Sequence, residues 1–98
     1  MAIPNNFVLF NQTWAIRTAT PGEIGDDLGQ CRSDAHEVVL NPNQNEESIR
    51  HTLTHELIHC IEQKLHLEMT ERQVDLIALG LIDLLRTNPE FIEMIQGE

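Results

Sequence analysis

The feature that most limits how this chain can fold is the stretch Thr52 to Cys60, TLTHELIHC. His55 and His59 stand four residues apart with Glu56 after the first, and a helix turns that spacing into chemistry. At 3.6 residues per turn both imidazoles leave one face, close enough to share one zinc ion. Glu56 then reaches a water on the open side of the ion, the place of a general base in zinc-dependent hydrolysis. Leu53, Leu57, Ile58 and Ile61 add an apolar stripe beside the pair. The helix is therefore expected to lie on a core and to carry its histidines at the core's edge.

That helix is predicted over Glu46 to about Lys64, with Asn45 as N-cap and Glu46 and Glu47 in the first turn, where the helix dipole favours acids. Thr70 followed by Gln73 is a capping box, so a second helix should begin there after the short connection LHLEM. Its buried stripe is expected to be Val74, Ile77, Ala78, Leu81, Leu84 and Leu85, with Asn88 and Pro89 ending it. Gly80, inside it, costs about 1 kcal/mol against Ala unless a neighbour packs close. The tail EFIEMI adds an amphipathic turn or two.

The first half reads as strands and loops. Phe7 to Thr20, FVLFNQTWAIRTAT, is a hairpin turning at Asn11 and Gln12, or one bent strand, with Trp14 in the core. Pro21 to Gln30, PGEIGDDLGQ, has the composition of a surface loop and lacks the glycine order of a phosphate-binding loop. Glu37 to Leu40, EVVL, is a short strand ended by the turn chemistry of NPNQN. By analogy with zinc proteases, that strand is expected beside the cleft, with a free edge for an extended peptide. The expectation is one α+β domain over residues 1–98.

A catalytic zinc takes three protein ligands and a water, so the two histidines need a partner. An antiparallel second helix brings its opening residues back to the metal face, which points to Glu71, with Glu68 and Asp75 as substitutes. Glu71 and Asp75, at i and i+4, point to one side. Glu71 is assigned to the metal and Asp75 to the second nitrogen of a ligand His, fixing its tautomer.

Other polar residues rank below these. His51, one turn before His55, is an exposed helix residue, a further metal contact or an orienting group. His36, His66 and Arg72 are candidates to polarise a substrate carbonyl, because the chain has no Tyr. Cys60 points about 100 degrees from His59 and is assigned to the core. Cys31, in GQCRSD, lies in a segment able to reach the metal as an inhibitory thiolate. The two cysteines are expected to be reduced thiols.

A net charge of −10, from 16 acidic against 6 basic residues, argues against nucleic acid or an anionic membrane as partner. No apolar run approaches a membrane span, and the N-terminus does not read as a signal peptide, so a cytoplasmic protein is expected. The oligomeric state is left open.

THELIH at Thr54 to His59 and ERQVDLIA at Glu71 to Ala78 resemble the helices of small HExxH zinc peptidases of the ImmA/IrrE kind and of minimal gluzincins. Short phage and prophage proteins are similar, down to a closing segment like LLRTNPEF at Leu84 to Phe91. The likeness covers the second half well and the first in outline. It implies a three-stranded antiparallel sheet against two long helices, zinc on His55, His59 and Glu71, and Glu56 as base. The chain departs from that pattern in carrying Val74 where alanine is usual, in lacking Tyr, and in having no added regulatory or DNA-binding domain.

The leading expectation is thus zinc-dependent hydrolysis of peptide bonds in a peptide or protein substrate. Two rivals stand beside it. One is a catalytically inactive protein-interaction module, phage-encoded in one version, in which zinc staples a small core. The other is a metal-free acidic module that mimics nucleic acid.

Overall fold

The computed structural model describes residues 1–97. Strands β1 (Asn6–Leu9), β2 (Gln12–Thr18), β3 (Gly29–Arg32) and β4 (Glu37–Leu40) precede helices α1 (Glu46–Lys64), α2 (Glu71–Thr87) and α3 (Pro89–Ile95). The fold is α+β, as expected. The sheet differs from the expected antiparallel three strands: it has four, in the order β1-β2-β4-β3, and β2 runs parallel to β4.

The parallel pair follows from the route of the chain. β1 and β2 form a hairpin whose turn residues, Phe10 and Asn11, both have positive φ of 49 and 64°. Two such residues match the right-handed twist of the flanking strands, so the turn comes one residue earlier than the composition suggested. The chain then passes to the far edge, makes β3, and returns through a hairpin that inserts β4 between β3 and β2. Gly29 and Gln30, read from composition as the end of a loop, are the first half of β3.

Side chains alternate across β2 and β4, so Trp14, Ile16, Val38 and Leu40 face α1 and enclose Cys60. Phe7 stacks on Trp14 with ring centroids 5.7 Å apart. On the other face Arg17 donates to both Glu23 (2.6 and 2.9 Å) and Glu37 (3.1 and 3.2 Å), and Arg32 donates to Glu23 at 2.8 Å. That network ties the long loop after β2 to the sheet.

α1 lies between the sheet and α2. Asn45 caps it, its side chain accepting from the Ser48 N–H, and Thr70 and Gln73 form the expected capping box on α2. α2 packs on α1 and α3 instead of on the sheet. It therefore buries one narrow line: Val74 and Ala78 are fully buried beside Ile58, and Leu81 is partly so. Ile77, Leu84 and Leu85, expected in the stripe, are instead exposed. Leu76, Leu79, Phe91, Met94 and Ile95 are further large apolar side chains left exposed on α2 and α3. No helix is long and apolar enough to cross a membrane among the described residues.

Candidate metal centre

His55 and His59 leave α1 toward the start of α2, their ring centroids 4.9 Å apart. The antiparallel return of α2 puts Glu71 against both. His55 Nε2 is 3.1 Å from one Glu71 carboxylate oxygen, and His59 Nε2 is 2.9 Å from the other. One ligand atom from each of the three lies within 4.8 Å of the others, an arrangement that can hold a metal ion. Glu68 does not enter this cluster.

The opposite ring nitrogens are also held. His55 Nδ1 lies 3.2 Å from Asp75 Oδ1, and His59 Nδ1 lies 2.8 Å from Glu62 Oε1. A carboxylate only accepts, so a ring with its hydrogen on Nδ1 donates there. In that tautomer each Nε2 lone pair faces the Glu71 carboxylate. Acceptor faces acceptor at about 3 Å, a repulsive contact unless a second proton or a cation lies between.

A divalent cation suits the donor set. Ligands about 2.0–2.1 Å from a tetrahedral zinc stand about 3.4 Å apart, so the observed 2.9 and 3.1 Å separations need only a small opening. A carboxylate behind each ligating imidazole is also the usual support for such a ligand.

Glu62 was not singled out from the sequence, although it stands at i+3 from His59, the spacing of facing helix neighbours. It also anchors the connection between the helices, accepting from the Met69 N–H at 2.7 Å. That hydrogen bond, with the one from His59, holds Glu62 below the usual carboxylate range, so it stays ionised. For His59, burial disfavours the charged ring, but Glu62, Glu71 and Glu56 outweigh it and raise the pKa.

Glu56 is buried at the floor of the site, 7% exposed. Burial raises its pKa, Glu71 and Asp27 add to the rise, and His55 and His59 oppose it. Two clefts, of about 430 and 380 Å³, meet over Glu56, Glu71 and Gly29. One extends past His51 and His55, the other past Cys31 and His59. Gly29 lets the sheet come this close. A Cβ there would lie 2.7 Å from Thr52 Cγ2 and 3.2 Å from Glu56 Cγ.

The strand beside the clefts is β3, at the sheet's edge. β4, expected there from its place before the metal helix, is paired on both sides and has no free edge. The β3-β4 hairpin produces this exchange by carrying β4 inward.

The remaining candidates do not join the three converging ligands. His51 lines the first cleft; its Nε2 is 3.2 Å from Asp75 Oδ1 but is buried without a hydrogen bond. His36 packs on Trp14 with centroids 4.8 Å apart and lies 3.3 Å from Lys64 Nζ. His36, His66 and Arg72 line neither cleft.

The Cys31 sulfur lies 3.0 Å from that of Cys60, in the cleft that also passes Glu56 and His59. Both cysteines are free thiols, and Cys60 is in the core. Comparison with protein-family models, with curated proteins and with solved structures finds no match to this chain.

Proposed function

We propose that the chain is a zinc-dependent peptidase, similar in its site to the small HExxH enzymes that its two helices resemble. The observation that carries this reading is the pairing of the two histidines. Each Nδ1 is committed to a carboxylate while both Nε2 atoms converge on Glu71, beside a buried acid. His55, His59 and Glu71 hold the ion, and Asp75 and Glu62 orient the imidazoles. Zinc, when bound there, lowers the pKa of water toward about 7 and polarises a carbonyl.

Glu56 supplies the proton transfers: its carboxylate accepts a proton from the attacking water and passes it to the departing amine nitrogen. Its raised pKa in the metal-free chain comes first from burial, and a bound cation draws the pKa back down. The substrate is an extended peptide whose backbone pairs with the free edge of β3 and crosses the clefts above Glu56. The acidic surface disfavours acidic peptides by like-charge repulsion.

The test is hydrolysis of a peptide library by the zinc-loaded chain and by Glu56→Gln. Loss of general-base catalysis lowers turnover by about 10²–10⁴-fold, with zinc still bound. Equal cleavage by both proteins would refute the assignment of Glu56.

The exposed apolar side chains of α2 and α3 support a second reading, in which zinc stabilises a module that docks a protein through those helices. Chelator-sensitive melting with no cleavage of any peptide favours this reading over the first.

A further inference from the structure

We propose that Cys31 and Cys60 form an oxidation site, closed by a small disulfide such as glutathione disulfide into a cross-link that ties β3 to α1. Their sulfurs lie 3.0 Å apart although the residues are 29 apart in sequence. They are the only two cysteines of the chain. An approach of about 1 Å brings the sulfurs to bonding distance.

The two thiols differ in access, which sets the order of events. Cys31 is partly exposed and lines a cleft, whereas Cys60 is fully buried. The Cys31 thiolate attacks one sulfur of the oxidant, forming a mixed disulfide and releasing one thiolate. The Cys60 sulfur then attacks the Cys31 sulfur, and its proton leaves with the second thiolate, which departs as a thiol. Two protein thiols are oxidised by two electrons, and one small disulfide is reduced to two thiols.

The cross-link leaves the metal ligands free. Cys60 follows His59 but points about 100 degrees away around the helix, toward the sheet, while His55 and His59 face α2. The bond instead fixes β3, whose first residue, Gly29, rests on Thr52 and Glu56. This inference stands on the sulfur geometry and does not depend on the peptidase reading.

The experiment treats the whole chain, with and without zinc, with glutathione disulfide. The expected product is a monomer lighter by two hydrogens, with a Cys31–Cys60 peptide on mapping. Its melting temperature rises by about 10 °C, reversed by a reducing thiol. Zinc affinity is unchanged. Cys60→Ala stops at glutathione on Cys31; should it fail to fold, Cys31→Ser must leave Cys60 unmodified. Stable glutathione adducts on the unaltered chain, persistent free thiols or cross-links between chains overturn the proposal. So does protection of Cys31 by zinc, which would make it a metal ligand.

Discussion

Glu62 Oε1 lies 2.8 Å from His59 Nδ1, while its other oxygen accepts from the Met69 N–H at 2.7 Å. One side chain thus sets the tautomer of a candidate ligand and closes the turn that returns α2 to the site. Glu62→Gln keeps an acceptor for Met69 but loses the carboxylate facing His59. Zinc affinity is expected to fall about 10–100-fold, measured by competition with a chromophoric chelator. Asp75→Asn should cost less, because Asp75 is 53% exposed against 12% for Glu62. An unchanged affinity in Glu62→Gln would remove Glu62 from the site.

Gly29→Ala tests the contact between sheet and helix. The new methyl meets Thr52 Cγ2 at 2.7 Å and, behind it, Glu56. Thr52 is β-branched and cannot swing aside freely. Overpacking of this kind costs about 1–3 kcal/mol, read by urea denaturation. Peptide cleavage should fall as well, since Glu56 has to shift. A variant as stable as the parent would mean that β3 does not rest on α1 here.

Gly80→Ala should do the opposite. A Cβ at Gly80 meets no atom within 4 Å, and the residue is exposed in the middle of α2. Removing glycine's excess freedom in the unfolded chain should stabilise the protein by about 0.5–1 kcal/mol. Destabilisation on thermal melting would place an unseen neighbour against that face.

The network on the outer face of the sheet predicts a dependence on acid. The hydrogen bond from Arg17, followed by that from the Thr20 N–H, holds Glu23 well below the ordinary value of 4.5. A carboxylate depressed by folding stabilises the native state above its unfolded pKa, and that stability is lost as pH falls toward its folded pKa. The melting-temperature gap between the parent and Glu23→Gln should therefore be constant near neutrality and narrow below about pH 4.5. A gap independent of pH would show that Glu23 contributes through shape alone.

Local signals in the sequence carried much of this structure. Asn45, Thr70 and Gln73 mark helix starts through backbone N–H groups that only their own side chains can satisfy, and those partners lie within three residues. The meeting of His55, His59 and Glu71 was legible for a related reason. A short connection between two antiparallel helices leaves little freedom in which residues face each other.

What was not legible depends on distant parts of the chain. GQCR at Gly29–Arg32 has no apolar alternation and opens on glycine, so nothing local marks it as a strand; pairing with β4 makes it one. The parallel alignment of β2 with β4 likewise arises from the route of the chain. Ile77, Leu84 and Leu85 follow helical spacing, but spacing cannot tell that α2 packs on α1 and α3 and not on the sheet.

The central claim is that two imidazoles of α1 and one carboxylate of α2 grip a single zinc ion. Anomalous diffraction at the zinc edge, from crystals of the zinc-loaded chain, tests it most directly. The account predicts one peak about 2.0–2.2 Å from His55 Nε2, His59 Nε2 and a Glu71 oxygen. No peak at that point, or a zinc held instead by Cys31 or Glu68, would contradict it.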